Sequence, residues 1–298
     1  MKYDSVAEIA EKWGISERSV RNYCLSGKVP GAVLDGKIWK IPSNAVKPAR
    51  KKREGKIPSD ILTRLKYEKE SGIKGGIYHK VQIELTYNSN HIEGSRLTHD
   101  QTRYIFETNT IGIQNDVLNV DDIVETANHF RCIDYIIELA NYRLSESFIK
   151  QLHYILKTGT SDSRRAWFNV GDYKRLENEV GGEETTRPEN VAKEMQQLLK
   201  KYNETKEKTL AEIIEFHYEF EKIHPFQDGN GRIGRLIMFK ECLRNGITPF
   251  VIEGDFKEFY YRGLKEWKNE KGYLTDTCLA AQDRFKAYMD YFGITYND

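Results

Sequence analysis

One run of twelve residues combines a histidine, an aspartate, a Gly-Asn-Gly turn and two arginines. It reads His224-Pro225-Phe226-Gln227-Asp228-Gly229-Asn230-Gly231-Arg232-Ile233-Gly234-Arg235. An apolar helical pattern leads into the run, and a second helical pattern begins inside it. Glycines let backbone N–H groups approach a ligand closely, and the first turn of a helix attracts anions. The run therefore predicts an anion site at the junction of two helices.

The charged residues of the run fit a metal-bound polyphosphate with a base beside it. Arg232 and Arg235 are three positions apart, so both project from one side of the second helix and can grip phosphate oxygens. Asp228 offers the hard oxygen ligand that Mg2+ takes beside phosphate oxygens and water. His224 can accept a proton near neutral pH, as a general base must. The alternative is a turn with only surface and capping residues, and it is disfavoured because such a loop adds little to a core.

All nine specified positions of the Fic family signature, His-Pro-Phe-x-Asp/Glu-Gly-Asn-Gly-Arg-x-x-Arg, occur in this run, and the chain resembles that family. The resemblance implies a mainly helical core that transfers AMP from ATP to a protein hydroxyl group. It implies that His224 deprotonates the hydroxyl and that Asp228 holds Mg2+. It also implies phosphate contacts from the loop and from both arginines, with the second arginine positioning the γ-phosphate. These contacts fall on Gly229, Asn230, Gly231, Arg232 and Arg235.

A second motif lies well before the first. The segment Ser89-x-x-x-Glu93-Gly94, at the end of a helical pattern, resembles the inhibitory motif Ser/Thr-x-x-x-Glu-Gly/Asn of Fic proteins. In that family the motif glutamate pairs with the second arginine of the signature, here Arg235, and blocks the productive pose of the γ-phosphate. Ser89 would cap or steady the helix. The alternative is a surface glutamate before a glycine that ends a helix.

Residues 161–188 change character and favour a short hairpin over a helix, because they are rich in glycine, valine and tyrosine. The segment resembles the flap with which Fic proteins clamp the backbone of their target by strand-like pairing. Target contacts are therefore expected at Tyr173, Val180, Gly181 and Gly182. A loop without this role is the alternative.

Aromatic and histidine residues outside the signature have modest predicted roles. The segment Tyr260-Tyr261-Arg262-Gly263-Leu264 resembles the Tyr-Tyr-x-x-Leu segment in which the second tyrosine lines the adenine pocket, so Tyr261 is a candidate for packing on the base. An aromatic pair at this spacing is otherwise ordinary core. His153 and His217 lie on apolar helix faces, and we interpret them as structural.

Residues 1–46 predict a small DNA-binding unit. Two short helical patterns joined by a glycine turn are followed by two apolar runs around Asp-Gly, which resembles the winged helix-turn-helix of excisionase and MerR-type proteins. In such a fold the second helix enters the major groove, exposing Arg18, Arg21 and Asn22, while Lys37 on the wing contacts phosphates. The alternative is a protein-docking module whose charges form a solvated face.

Charge divides the chain unevenly. Residues 1–58 hold 13 Lys and Arg against 6 Asp and Glu, a net charge of +7, which leaves 33 against 39 and a net charge of −6 for residues 59–298. A basic linker is predicted over residues 47–58, between the head and a Fic domain of residues 59–298 with an N-terminal inhibitory helix and C-terminal helices. The basic balance of the head favours an anionic partner.

The composition indicates a globular protein of a reducing compartment. No signal peptide and no apolar run of 18 residues is present in the sequence, so we expect a cytoplasmic location and no membrane partner. The scattered cysteines predict reduced thiols and no zinc site. They are Cys24, Cys132, Cys242 and Cys278.

These patterns predict an autoinhibited protein adenylyltransferase with ATP as substrate, Mg2+ as cofactor and a protein target, which can be the chain itself. Two alternatives stay open within enzymes: removal of AMP, and transfer of another nucleotide. A third alternative is a transcription regulator that senses a nucleotide and acts through its helix-turn-helix.

Overall fold

The chain forms two compact units, Met1–Lys56 and Ile57–Asp298, each with its own buried core. The predicted DNA contact Lys37 and residues 49–56 of the predicted linker lie outside the residues that the structure describes. The structure is a computed structural model, and it describes residues 2–36, 38–48, 57–112 and 117–296.

The N-terminal unit consists of two helices and a small antiparallel sheet. Its elements are β1 (Tyr3–Asp4), α1 (Val6–Trp13), α2 (Glu17–Leu25), β2 (Val33–Asp35) and β3 (Ile38–Pro42), with the strand order β1-β3-β2. Ser5 and Glu8 form a capping box that starts α1, because each side chain accepts the backbone N–H of the other. Gly14 ends α1 in the left-handed conformation. The core lies between the helices and the sheet, and its residues are Val6, Ile9, Ala10, Val20, Cys24, Val29 and Ile41.

The C-terminal unit is almost entirely helical, which confirms the predicted mainly α fold. Its first helices are α3 (Ile61–Ser71), α4 (Ile77–Ile92), α5 (His99–Thr108), α6 (Val120–Glu138) and α7 (Glu146–Lys157). A hairpin of β4 (Glu179–Val180) and β5 (Glu183–Glu184) follows. The chain continues with α8 (Pro188–Tyr202), α9 (Leu210–Ile223), α10 (Asn230–Asn245), α11 (Lys257–Glu266) and α12 (Gly272–Tyr291).

Helix α10 is the centre of this unit. Every residue from Asn230 to Leu243 is buried, and α4, α6, α7 and α9 all pack against the helix. A helix that is covered on all sides has no need for a polar face, which explains why its sequence shows no apolar stripe. The helix ends at Gly246, whose φ of 67° places it in the left-handed region that favours glycine. The helix that carries the second half of the twelve-residue run is therefore packed among four other helices.

The two histidines that we interpreted as structural are confirmed in that role. His153 is fully buried, its Nδ1 accepts the N–H of Gly171 at 2.9 Å, and its ring stacks on Phe226. His217 is also buried, and its Nε2 shares a 2.7 Å hydrogen bond with the hydroxyl of Tyr260. All four cysteines are buried free thiols. Among the helices of the described residues, none has the length and apolar character needed to cross a membrane.

Candidate active site

His224 is the first residue after α9, and its backbone turns the chain into the loop. Its φ of 51° and ψ of 62° are left-handed, a conformation that a residue other than glycine adopts at a cost and that is found often at functional sites. Its Nδ1 lies 3.3 Å from the carbonyl oxygen of Glu221. Since a carbonyl only accepts, Nδ1 carries the proton of the neutral ring. Nε2 is therefore the nitrogen with a free lone pair.

The surroundings of His224 keep its ring neutral. Burial is the largest influence on the pKa of His224, the nearby Lys174 ammonium acts in the same direction, and the net effect lowers the pKa to about 4. The ring is therefore unprotonated at neutral pH, which is the form that a general base needs.

The loop after His224 is held rigidly by its own side chains. Asn230 donates to the backbone oxygen of Phe226 and accepts the backbone N–H of Phe226, both at 2.8 Å. Phe226 is fully buried. Gly229 has a φ of 84° and starts α10. The Asn230 side chain thus shapes the loop, and the phosphate contact predicted for this residue stays a prediction.

Glu93 lies directly against this loop. A methyl group added at Gly231 would collide with Oε1 of Glu93, so the carboxylate occupies the space beside the glycine backbone. The same oxygen accepts a 2.7 Å hydrogen bond from Nη2 of Arg235. A carboxylate therefore occupies the place where an anionic ligand would approach the loop and the second arginine of the signature.

Helix α4 brings this carboxylate to the loop. Ser89 lies inside its last turns, and its hydroxyl accepts from Nε of Arg235 at 3.0 Å while its carbonyl accepts from Nη2 at 2.9 Å. Glu93 follows the helix directly, and Gly94 turns the chain away with a φ of 97°. Ser89 therefore steadies the arginine rather than the end of the helix.

The charge of Arg235 is maintained although its side chain is buried. Burial is the largest single influence and would lower its pKa, but the charge and hydrogen bond of Glu93, together with the other groups around it, outweigh burial and raise the pKa. The guanidinium also lies 5.7 Å from the ring centre of Tyr260. A buried arginine with such partners is a ready anion contact once its carboxylate partner leaves.

Asp228 and Arg232 belong to a four-membered charge cluster with Glu125 of α6 and Lys157 of α7. Lys157 Nζ lies 2.6 Å from Oδ2 of Asp228, and Arg232 Nη2 lies 3.2 Å from the same oxygen. Lys157 and Arg232 each form a second ion pair with Glu125. The sequence analysis found Asp228 and Arg232, but it missed Glu125 and Lys157.

The carboxylate of Asp228 fits a cation that is shared with phosphates. Its side chain is 47% exposed, whereas Lys157, Glu125 and Arg232 are nearly covered. Burial would raise the pKa of Asp228, but the charge and hydrogen bond of Lys157 prevail and lower it, so the group is ionised at neutral pH. Within the described residues, no cluster of three or more metal-ligating side chains is present. Mg2+ here would need phosphate oxygens and water as its other ligands.

The sequence analysis also missed Glu221, a buried carboxyl group beside His224. Glu221 lies one turn before His224, and burial raises its pKa to about 8. Its Oε1 has no hydrogen-bond partner among the described residues and lies 3.9 Å from Nδ1 of His217, while Oε2 lies 3.9 Å from Nδ1 of His224. Its neutral acid form is the one that this environment favours.

The predicted hairpin is present between α7 and α8. Glu179 pairs with Glu184 and Val180 pairs with Glu183, joined by a two-residue turn at Gly181 and Gly182. Both glycines have positive φ angles, 61° and 83°, as a tight hairpin turn between antiparallel strands requires.

Lys174 fastens the base of this hairpin to the loop after His224. Its ammonium donates to Oδ1 of Asn178 and to the hydroxyl of Thr185, both at 2.6 Å, and its backbone N–H donates to the carbonyl of Pro225 at 2.9 Å. Tyr173 is buried beside it, so its side chain anchors the segment, whereas the hairpin tip is exposed.

The two tyrosines of α11 differ in accessibility. Tyr260 is fully buried, whereas Tyr261 is 41% exposed and its hydroxyl donates to the carbonyl of Ile92 at 3.3 Å. Tyr261 therefore borders the end of α4, beside Glu93. Its packing on a nucleotide base stays a prediction.

The helical fold and the loop at the start of α10 lie in the part of the chain that matches a known domain family. Residues 143–242 match the model of the Fic/DOC family. The chain thus contains a domain of that family, with the signature loop between α9 and α10.

Individual relatives agree with this result. The chain is 30% identical over 193 residues to a protein of Drosophila grimshawi named "Protein adenylyltransferase Fic", an alignment that covers 60% of this chain and 36% of that protein. It therefore spans about a third of the length of the curated relatives that it matches. Among solved structures, a Fic domain containing signaling protein from Bacteroides thetaiotaomicron is 27% identical with a TM-score of 0.58, covering 78% of this chain and 91% of that one. Fic-1 from C. elegans, 18% identical with a TM-score of 0.60, covers 77% and 69% and shows the same fold.

Proposed function

We propose that the protein is a Fic-type adenylyltransferase that moves AMP from ATP to a hydroxyl group of a protein, and that Glu93 restrains it. One observation carries the proposal: a neutral histidine stands beside a loop that also presents a carboxylate and two buried arginines, at the start of a buried helix. The similarity to proteins named as adenylyltransferases supports the reaction class.

In the proposed reaction, Nε2 of His224 takes the proton of the target hydroxyl as its oxygen attacks the α-phosphorus of ATP. The bond to the β-phosphate oxygen breaks, and pyrophosphate leaves. The backbone of Gly229 to Gly231, at the start of α10, and the guanidinium of Arg232 stabilise the charge that develops on the phosphates. Asp228 would hold Mg2+, which when bound neutralises phosphate charge.

The restraint by Glu93 follows from competition for one guanidinium. A γ-phosphate and a carboxylate cannot both occupy the same donors of Arg235. Glu93 also fills the space beside Gly231. With Glu93 in place, ATP would bind with its γ-phosphate displaced and its α-phosphorus out of line for attack.

The test is transfer of label from α-labelled ATP to protein, with the chain itself and a cell lysate as acceptors. It uses Glu93→Gly as the active background and compares this variant with Glu93→Gly/His224→Ala. We expect labelled bands that depend on His224 and that excess GTP, UTP or CTP does not remove. Equal labelling by the two variants would overturn the mechanism. Preferential labelling from another nucleotide, or loss of AMP from a premodified target, would favour the corresponding alternative.

For the N-terminal unit, we propose DNA binding through α2. Arg18, Arg21 and Asn22 are exposed on this helix, and Arg21 is held by an ion pair with Glu17 at 2.6 Å. In helix-turn-helix proteins, the second of two short helices lies in the major groove.

A gel-shift titration on DNA from upstream of the coding sequence, with and without ATP, tests this proposal. The variant Arg18→Ala/Asn22→Ala should weaken binding, whereas Lys66→Ala, on the C-terminal unit, should not. No affinity for any duplex at low salt would contradict it.

A further inference from the structure

Lys157 is a buried cation in direct contact with the carboxylate that would hold a metal ion. It is the last residue of α7, and its side chain is only 3% exposed. Its ammonium lies 2.6 Å from Oδ2 of Asp228 and also forms an ion pair with Glu125. Asp228 is the one member of this group with an exposed side chain.

The cluster is balanced in charge without any added ion. Lys157 and Arg232 supply two positive charges, and Glu125 and Asp228 supply two negative ones. A buried ammonium is costly unless it stays paired, so Lys157 cannot simply withdraw into the core. Its two carboxylate partners come from different elements, and only Asp228 can also reach a ligand from solvent.

We propose that Lys157 is a resident cation that keeps Asp228 from binding a divalent metal until the nucleotide arrives. A divalent ion on Asp228 would stand close to the ammonium, and the repulsion between the two charges in a partly buried site weakens metal binding. The phosphates of a nucleotide bring the negative charge that allows both cations to stay. Glu125 retains Lys157 when Asp228 turns to the metal.

The proposal rests on the metal role of Asp228 in the proposed function, and it adds a determinant that lies outside the signature. It makes metal and nucleotide binding cooperative, because each supplies charge that the other needs. It also gives a role to Glu125, which otherwise only pairs two buried cations.

The experiment measures binding of Mn2+ to the full-length, nucleotide-free protein by electron paramagnetic resonance of the free ion. The proteins are wild type, Lys157→Met, Lys157→Arg, Lys157→Met/Asp228→Asn and the control Lys201→Met, which removes a largely exposed lysine. We expect Lys157→Met to bind Mn2+ about tenfold more tightly than wild type, equivalent to about 1.4 kcal/mol. Lys157→Arg and Lys201→Met should match wild type, and the double variant should lose the gain.

The inference is overturned if folded Lys157→Met binds Mn2+ no more tightly than wild type, or if the gain persists in the double variant. If Lys157→Met does not fold, Glu125→Gln/Lys157→Met removes both charges of the pair and is measured in its place, with the same expectation. Because the assay involves neither ATP nor AMP transfer, a failure to detect adenylylation leaves its result intact. Conversely, adenylylation with unchanged Mn2+ affinity would refute only the role of Lys157.

Discussion

Burial and the charges around His224 together set the pKa of its ring. Burial is the largest influence on its pKa, and the Lys174 ammonium acts in the same direction. The carboxylates of Glu93 and Asp228 act against both, by favouring the protonated ring. The net result, a pKa of about 4, leaves the ring unprotonated throughout the neutral range, as the proposed role of a base requires.

Replacing Lys174 by Met should shift the acid limb of the activity profile to higher pH. Loss of the nearby positive charge makes protonation of His224 easier, so its pKa rises and the base is lost sooner as pH falls. The measurement is the rate of label transfer between pH 3 and 8 in the Glu93→Gly background. Lys222→Met, a substitution of an exposed lysine, serves as the control. Lys174 also holds the hairpin, so its loss can lower the rate at every pH. The pH of half-maximal activity therefore tests the effect on the pKa of His224, and an unchanged pH of half-maximal activity would refute it.

Replacing Glu93 by Gly should raise label transfer about tenfold or more, because a charge-assisted hydrogen bond to a buried arginine is worth about 1.5–3 kcal/mol. Glu93→Gln keeps the shape but not the charge, and an intermediate rate is expected. Ser89→Ala removes one contact of Arg235 and leaves the carboxylate, so its effect should be small. The assay is autolabelling at saturating ATP. Equal rates for wild type and Glu93→Gly would remove Glu93 as the restraint.

At the scale of the elements, α11 and α12 meet at a glycine. A methyl group at Gly263 would lie 2.7 Å from backbone atoms of Leu274, which cannot move without shifting α12. Gly263→Ala should therefore destabilise the protein by about 1–3 kcal/mol. Gly272→Ala is the matched control, because its methyl group would meet only the mobile end of the Glu270 side chain. Urea unfolding compares the two, and equal midpoints would mean that the helices separate freely.

The elements also show what the sequence could predict. Helices α6, α7 and α9 were predictable within a few residues, since each has one regular apolar face. Helix α10 has none, because it is buried on all sides, and only the glycines at its two ends marked it. The signature residues could be predicted from the twelve-residue run alone.

Glu125 and Lys157 could not be predicted in the same way. They lie 107 and 71 positions from their partners in the signature, Arg232 and Asp228 respectively. Their contact depends on how α6 and α7 pack beside α10, which no local pattern encodes. Each residue, taken alone, resembles an ordinary charged residue on the face of a helix.

For the whole molecule, the two units have separate cores and opposite charge. Among the described residues, the N-terminal core consists of seven side chains, whereas the larger core runs through nearly all the helices of the C-terminal unit. The basic unit is the one for which DNA binding is proposed, and the acidic unit is the one that contains the proposed phosphate site. Part of the effect of acid on the stability of the larger unit should come from groups that its core keeps uncharged.

Three such groups are the fully buried histidines His129, His153 and His217, and burial lowers the pKa of each from 6.5 to about 3. The unfolded chain takes up protons on them as pH falls below 6.5, while the folded chain does not. Each histidine therefore contributes to the folding stability above pH 6.5, and this contribution is lost as the pH falls toward 3. The loss is about 2 kcal/mol per histidine between pH 7 and pH 5.

His129→Gln should lessen this loss. The variant is less stable than wild type at pH 7, because the hydrogen bond of His129 to Thr86 is disturbed. Its unfolding free energy should nevertheless fall by about 2 kcal/mol less than that of wild type between pH 7 and pH 5. Urea titrations at both pH values give the two differences, with His99→Gln, whose side chain is partly exposed, as the control. An identical loss in wild type and His129→Gln would mean that this histidine takes up its proton without unfolding.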